Sequence, residues 1–232
     1  TVVITVSVAG ILYGALVAMV QPDFKRLASY ASVSHLGFVM LGIFALTPQS
    51  VHGAMVVMLN HGISAGALFL LIGMLQDRRG TGLLPRFGGL ARVVPMFGVF
   101  LVLVSLSVVG LPATNGFVGE FLVLLGTFRT YPVAATVATV GVILAAVYLL
   151  WAVQRVLFQP LDDEANRGLR DLDRRELTAM TAFAVAIVWL GIAPGPVLRR
   201  MEGPIQRLIE QVQRGGAEAC GGIADALLAG GV

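Results

Sequence analysis

Few side chains in this sequence are charged. Asp, Glu, Lys and Arg make up 12% of its 232 residues, whereas about a quarter is usual in a soluble domain. Apolar residues account for 57%, and the mean hydropathy is +0.87. A chain of this composition has too few polar groups to cover a water-soluble globule. The scarcity of charge therefore excludes a cytosolic enzyme, a disordered chain and a nucleic-acid-binding module.

Cysteine and lysine are almost absent. The single cysteine, Cys220, lies in a tail rich in Gly and Ala, and one cysteine can form neither a disulfide framework nor a cysteine metal cluster. Lys25 is the one lysine among 16 basic residues, and most of the arginines stand at the edges of apolar runs. Loop charges of membrane proteins have this distribution. The net charge of +3 therefore reflects basic residues in membrane loops and does not indicate nucleic-acid binding.

Apolar runs that can cross a bilayer occupy most of the chain, since a core about 30 Å thick needs roughly 20 helical residues. The sequence predicts an all-α, polytopic transmembrane helix bundle with about six spans, one of them discontinuous. Residues 76–92 and the charged stretch 162–176 are expected to be loops, with Asp77, Arg78 and Arg79 in solvent. Apolar residues at helical spacing over 201–214 indicate an amphipathic interface helix, and a flexible tail is expected beyond it. The five continuous spans are predicted over residues 2–20, 27–47, 51–75, 133–158 and 177–193.

Residues 93–129 form a segment that ordinary spans do not explain. Its 37 residues would make a straight helix roughly 55 Å long, yet they are too few for two full spans and a turn. The helix-breaking run GLPATNG stands in its middle at 110–116. Unwound backbone at membrane depth is tolerated where it is buried in protein or lines a water-filled cavity, and half-helices around such a break form ion sites in transporters. A discontinuous helix is therefore favoured over a proline kink or a short re-entrant hairpin.

The distribution of basic residues predicts the orientation. With 93–129 as one broken crossing, eleven basic residues fall on one side and five on the other, and the larger group is expected in the cytoplasm. Two crossings would give the same division, so segment length, and not charge, supports six spans. The larger group is Lys25, Arg26, Arg78, Arg79, Arg86, Arg92, Arg155, Arg167, Arg170, Arg174 and Arg175, and the smaller is Arg129, Arg199, Arg200, Arg207 and Arg214.

Three titratable residues are predicted near mid-membrane, where each costs a few kcal/mol or more and needs a reason. His35 lies on the second span, His61 lies on the third between Asn60 and Ser64, and Glu120 follows the break. For either histidine alone, a functional role and a structural hydrogen bond between helices are equally supported. A carboxyl beside a helix break has few structural explanations, so a functional role is favoured for Glu120.

A polar stripe is predicted on the second span. Lys25, Ser29, Ser32 and His35 follow one another at helical spacing and share one face. Taken alone, Lys25 fits a side chain that extends from the helix end into the interface. Together the four residues indicate a polar route from the cytoplasmic edge to the middle of the span.

Histidine and glutamate are suited to moving protons. Histidine titrates near neutral pH, and burial brings a carboxyl toward the same range. The sequence contains no cysteine cluster motif, no dinucleotide-binding glycine motif, no P-loop and no Ser-His-Asp arrangement. We therefore expect no cofactor-binding and no metal-binding residues in this chain.

Three linked motifs resemble the antiporter-like membrane subunits of complex I, the respiratory NADH:quinone oxidoreductase. They are DFKRLASYASVSHLGF at 23–38, LNHGIS with GALFL at 59–70, and GLP through NGFVGEF at 110–121. In the related L-type and N-type subunits, and in Mrp-type Na⁺/H⁺ antiporters, a lysine usually stands at the position of Glu120. The glutamate makes this sequence similar to the M-type subunits, which correspond to mitochondrial chain 4.

The resemblance implies an antiporter-like five-helix repeat over residues 1–160, the second repeat of its subunit. Residues 161–232 would then hold a charged loop, the terminal helix 177–193 and the tail. Since the chain opens at Thr1 inside an apolar run, we expect it to be the C-terminal half of a longer protein. The resemblance also implies that His35 and His61 belong to a central hydrophilic axis, that Glu120 is the carboxylate of a broken helix, and that Lys25 matches a motif lysine.

The leading hypothesis is a proton-translocating subunit of complex I in the inner (plasma) membrane. Its implied partners are the lipid bilayer and other membrane subunits, including the L and N types, and flavin and iron–sulfur clusters are expected in partner subunits. The alternatives are an Mrp-type antiporter or a membrane-bound hydrogenase subunit. A third possibility is a non-transporting scaffold, in which His35, His61 and Glu120 could all become apolar without functional loss.

Overall fold

The computed structural model describes the backbone of residues 1–229 and the side chains of residues 1–212. Within these residues all regular elements are helical, apart from an isolated β-bridge between Asp23 and Leu83. The prediction of an all-α chain is confirmed. The helices are α1 (Val2–Met19), α2 (Phe24–Phe44), α3 (Pro48–Arg79), α4 (Leu90–Val93), α5 (Pro95–Val109), α6 (Asn115–Phe128), α7 (Pro132–Phe158), α8 (Glu164–Arg167), α9 (Arg174–Ile192) and α10 (Gly195–Ala229), with a 3₁₀ turn at Leu84–Arg86.

Among the described residues, five helices are long and apolar enough to cross a membrane: α1, α2, α3, α7 and α9. The shorter apolar helices α5 and α6 flank the predicted break. The largest departure from the predicted spans is α3, which has 32 residues. Thr47 and Ser50 form a capping box that starts α3 before residue 51, and Gly80 ends it in the left-handed conformation. The chain is a multi-pass membrane protein.

The predictions for the loop at 76–92 and for its arginines were partly wrong. Residues 76–79 complete α3, and the rest of the segment includes the 3₁₀ turn and α4. Arg78 forms an ion pair with Glu176, and Arg79 forms one with Asp163. These arginines are therefore not simply solvated, because pairing with the charged stretch holds them against the protein.

The segment predicted to be broken runs antiparallel to α3 along its whole length. Its α5 half lies beside the second half of α3, and its α6 half lies beside the first. A helical hairpin would return to the end where it began, whereas this segment continues, so α5 and α6 make one discontinuous crossing. Four contacts mark the path: Phe97 beside Leu75, Ser107 with Ser64, Gly119 against Val57 and Gly126 against Ser50.

The ends of α1, α3 and α7 and the starts of α2 and α5 lie together. The Phe24 N–H donates to the Gly82 carbonyl (2.9 Å) just beyond α3, and Gly98 near the start of α5 packs on Leu157 near the end of α7. This end carries the eleven basic residues of the larger group, and we call it the arginine-rich end. By the positive-inside rule, we expect this end in the cytoplasm.

The charged stretch 162–176 is folded onto this end and ties several helices together. The Asp171 carboxylate accepts hydrogen bonds from the backbone N–H groups of Met96 (2.9 Å) and Phe97 (3.0 Å), so it caps the first turn of α5. Arg78 donates to the carbonyls of Arg170 (3.0 Å) and Asp171 (3.3 Å). The stretch therefore holds the start of the broken helix against the end of α3.

The final helix, α10, packs on the opposite end of the bundle. Ile205 and Ile209 are buried against Val51 near the start of α3. These residues belong to the segment 201–214 that was predicted to be an amphipathic helix. The flexible tail stays a prediction: the backbone is helical to Ala229, whereas the side chains beyond residue 212, including Cys220, and residues 230–232 lie outside the described part.

Candidate functional site

The break between α5 and α6 is a short run of irregular backbone. Gly110 has φ = 79° and Ala113 has φ = 75°, both in the left-handed region. Glycine adopts that region freely, whereas an alanine there is strained. A β-carbon at position 110 would also lie 3.0 Å from Oε2 of Glu120. Glycine at this position therefore provides both the turn and the room for the carboxylate.

A hydrogen-bonded network joins the two half-helices to the middle of α3. The hydroxyls of Ser107 and Ser64 donate to Oδ1 of Asn115 (2.5 and 3.2 Å). The side chain of Asn60 donates to the backbone carbonyl of Asn115 (2.5 Å). All four residues are buried. The network satisfies polar groups at a helix end that lies away from water, as a buried break requires.

Glu120 and His35 form a buried pair beside this network. Nδ1 of His35 lies 2.8 Å from Oε1 of Glu120, and the two side chains are only 6% and 8% exposed. Their helices, α2 and α6, contribute residues 85 positions apart in sequence. Nε2 of His35 has no hydrogen-bond partner among the described residues. The pair can share a proton directly, and the second ring nitrogen can take part in a further transfer.

His61 completes the cluster from α3. Its ring centroid lies 5.6 Å from that of His35, but no hydrogen bond joins the two rings, because Nδ1 of His35 bonds Glu120 and Nε2 has no partner among the described residues. A cavity of about 20 Å³ lies among these side chains, which is room for about one water molecule. The polar residues that line it are His35, Asn60, His61, Ser64, Ser107 and Glu120.

Lys25 does not join the cluster. It lies in the first turn of α2, ten residues from His35, and is exposed, which corresponds to about 15 Å along the helix. The Ser29 hydroxyl donates to the Lys25 carbonyl (2.9 Å), and the Ser32 hydroxyl donates to the Ala28 carbonyl (3.1 Å). Each serine of the stripe is thus bonded to its own helix, although its oxygen can still accept a hydrogen bond.

Sequence analysis assigned no role to Ser107 and Asn115. Both are fully buried and flank the irregular run. The available signal was a polar side chain on either side of a helix break, where freed backbone groups need partners. In the part of the chain that the structure describes, no three His, Cys, Asp or Glu side chains are grouped as ligands for a metal ion. The chemistry that the cluster can perform with its own groups is proton exchange.

Comparison with known proteins gives the family. Residues 1–146 match the family described as NADH:quinone oxidoreductase/Mrp antiporter, transmembrane. The chain is 37% identical to NADH-ubiquinone oxidoreductase chain 4 of Marchantia polymorpha over 89% of its length, and 40% identical to NADH-quinone oxidoreductase subunit M of Mycobacterium tuberculosis over 84%. The alignments cover 42% and 35% of those proteins. The chain thus spans less than half the length of these relatives.

A solved structure has the same fold. A chain of respiratory complex I from Thermus thermophilus superposes with a TM-score of 0.86 and 33% identity, covering 90% of this chain and 44% of that one. The resemblance to this family that the motifs indicated is confirmed. The chain belongs to the transmembrane family of NADH:quinone oxidoreductase and Mrp antiporter subunits.

Proposed function

We propose that this chain is part of a proton-translocating membrane subunit of respiratory NADH:quinone oxidoreductase. The observation that carries the proposal is the buried contact between His35 and Glu120 beside a cavity at the helix break. Buried titratable pairs are rare in membrane helices and mark proton relays. The identity to subunit M of Mycobacterium tuberculosis supports the assignment of the M type. Glutamate at position 120, where the related types usually have lysine, points the same way.

In this proposal the proton moves between three groups. Transfer between Nδ1 of His35 and the Glu120 carboxylate needs no intermediary at 2.8 Å. Transfer to His61 proceeds through one water molecule in the cavity, because both rings line the cavity and no hydrogen bond joins them directly. Transfer of the proton to Glu120 neutralises the carboxylate and reverses the hydrogen bond, so that the carboxyl group donates to Nδ1 of His35. The pair therefore has two discrete states, which a movement elsewhere in an assembly could favour in turn.

The proton enters from the arginine-rich end and leaves on the far side in this scheme. Lys25 stands at the cytoplasmic mouth, and the oxygens of Ser29 and Ser32 accept hydrogen bonds from water along α2. Beyond Glu120, Thr127 lies two turns along α6 toward the other end. It is fully buried, and its hydroxyl has no partner among the described residues, which suits a stop on the exit route.

The redox chemistry belongs to other subunits in this proposal. Flavin and iron–sulfur clusters are held by partner chains, and quinone reduction there drives the protonation changes here. The neighbours in the inner (plasma) membrane are further antiporter-like subunits of the L and N types. The enzyme, a proton-translocating NADH:quinone oxidoreductase, is the assembly as a whole.

An Mrp-type antiporter or a membrane-bound hydrogenase subunit is the second candidate. One finding favours the antiporter, namely the matching family, whose description includes Mrp antiporters. Purification settles the choice: an assembly that oxidises NADH with quinone supports complex I, and one that exchanges Na⁺ for H⁺ without redox activity supports an antiporter.

The test is Glu120→Gln in the complete protein within its native assembly. Gln keeps the shape of the side chain and cannot titrate, so NADH-driven acidification of reconstituted vesicles should fall about a hundredfold, the low end of effects for lost acid–base groups. Glu164→Gln is the matched control, because Glu164 lies exposed in α8 and should pump normally. Glu120→Asp should retain part of the activity. If Glu120→Gln pumped at the parent's rate, a non-transporting scaffold would be the better description.

A further inference from the structure

The basic residues of the arginine-rich end differ in whether an acidic side chain pairs with them. Arg78 and Arg79 are held by the carboxylates of Glu176 and Asp163. Arg92 and Arg167 are exposed, and neither donates a side-chain hydrogen bond or forms an ion pair with any residue that the structure describes. Among the described residues, these two arginines therefore have guanidinium groups that no other side chain engages.

Arg92 and Arg167 line the same groove, whose volume is about 710 Å³. One wall is the last turn of α7, including Leu157 and Phe158, and Ala91 and Leu161 add further apolar surface. The phenyl ring of Phe158 is 66% exposed. The groove thus combines an apolar wall that continues the membrane face of α7 with two cationic groups at its mouth.

The groove lies at the level where a bilayer changes from hydrocarbon to headgroups. It begins where the membrane helix α7 ends. One and two turns before that end, Arg155 and Trp151 stack with 5.5 Å between the guanidinium carbon and the ring centroid. Tryptophan and arginine at a helix end are typical of the membrane interface. A ligand in the groove would place its charge at the headgroup level and its apolar part beside α7.

We propose that this groove binds an anionic phospholipid of the cytoplasmic leaflet. The phosphate lies between the guanidinium groups of Arg92 and Arg167, which suit bidentate contacts to phosphate oxygens, and an acyl chain lies along Leu157 and Phe158. The charges of groove and ligand are complementary, since two arginines and no acidic side chain are among the described residues that line the groove. An acidic peptide would satisfy the arginines but would not match the apolar wall formed by Leu157 and Phe158, so the lipid is the better fit.

The experiment measures lipid retained by the complete assembly. Partially delipidated protein is mixed with detergent micelles of phosphatidylglycerol or of phosphatidylcholine, and bound lipid is quantified by native mass spectrometry. Each arginine near an anionic lipid surface contributes about fivefold in affinity, so Arg92→Gln with Arg167→Gln should lower phosphatidylglycerol binding roughly 25-fold at this site. Binding of phosphatidylcholine should change much less, and replacement of both arginines by lysine should keep part of the preference.

Arg174→Gln with Arg175→Gln is the matched control. It removes the same charge from the same end, from exposed residues that do not line the groove, and should keep most of the phosphatidylglycerol preference. Equal losses in the two double variants, or no loss in the first, would overturn the proposal. Inorganic phosphate that competed as well as the lipid would show an ion site instead. Photoreactive phosphatidylglycerol should crosslink to residues 157–161, and crosslinks confined to a partner protein would mean that a protein covers the groove.

Discussion

The helix break and the arginine-rich end both pair basic with acidic side chains, but in different surroundings. His35 and Glu120 are 6% and 8% exposed, whereas Arg78 and Glu176 keep 20% and 23% of their surface. Inside the bundle the partners are groups that can lose their charge by moving a proton. At the end the cation is arginine, which stays charged at all accessible pH values. The buried pair thus consists of groups that can become neutral. The partly solvated pair includes a permanently charged arginine and holds helices together.

The same contrast exists between two buried asparagines. Asn115 accepts hydrogen bonds from Ser64 and Ser107 at the break. Asn166 accepts one from Nε of Arg79 (2.8 Å) and donates to the carbonyl of Arg86 (3.0 Å) at the arginine-rich end. Both bridge segments that are distant in sequence, but only Asn115 lies beside the titratable cluster. Substitution of Asn166 should therefore affect stability alone, whereas substitution of Asn115 should affect both stability and proton transfer.

The largest effect is expected from removing both histidines of the cluster. His35→Leu with His61→Leu in the complete assembly should lower NADH-driven proton pumping by at least about a hundredfold, measured by dye quenching in vesicles. Glu120 then loses its partner but can take up a proton, which limits the cost of leaving it buried, so the assembly should persist. His52→Leu is the control, since His52 bonds its own helix at the Pro48 carbonyl. Unchanged pumping in the double variant would return both histidines to a structural role.

The helix spans and the position of the break could be predicted from sequence, because both depend on local properties. Bilayer thickness fixes the length of an apolar run, and Gly110 with Pro112 marks a break in any context. The boundaries of α3 were harder to predict, since a capping box at Thr47 and a left-handed Gly80 extend it beyond its apolar part.

The geometry of the site depends on which helix faces meet, and the local pattern does not encode that. His35 and Glu120 are far apart in sequence, and periodicity placed each near mid-span without pairing them. Helical spacing places Lys25 on the same face as His35, yet the distance along α2 keeps Lys25 at the surface. The charged stretch 162–176 appeared to be a soluble loop because its partners, including Arg78 and the start of α5, lie on other segments.

The second-largest effect is expected from substitution of the buried asparagines Asn115 and Asn166. Asn115→Ala leaves the hydroxyls of Ser64 and Ser107 without their shared acceptor, at a cost of about 1–3 kcal/mol. It should also slow pumping, because these two serines line the cavity and would reorient. Asn166→Ala should lower thermal stability by a similar amount and leave pumping per assembled complex unchanged. Thermal unfolding and vesicle acidification together check both. Equal pumping defects in the two variants would mean that the break has no special link to proton transfer.

A smaller effect is expected for the pair of Arg78 and Glu176. Because both side chains keep about a fifth of their surface in solvent, their coupling free energy should be about 0.5–1 kcal/mol and should fall at high salt. A double-mutant cycle with Arg78→Gln and Glu176→Gln measures it from thermal unfolding in low and high salt. The carbonyl contacts of Arg78 add to the cost of Arg78→Gln alone but cancel in the cycle. A coupling of several kcal/mol would contradict the contrast with the buried pair.

The smallest functional effect is expected from cysteines that report topology. Arg129 follows α6 and Glu164 lies in α8, and both are exposed. Since α7 crosses the membrane between them and α5 with α6 makes a single crossing, the two positions should lie on opposite sides. In a Cys220→Ser background, Arg129→Cys and Glu164→Cys should pump normally, and an impermeant maleimide should label Glu164→Cys only from the cytoplasmic side and Arg129→Cys only from the other. The reversed pattern, with Arg129→Cys labelled from the cytoplasmic side and Glu164→Cys from the other, would require the break to be a hairpin, and would remove Glu120 from the centre of a crossing.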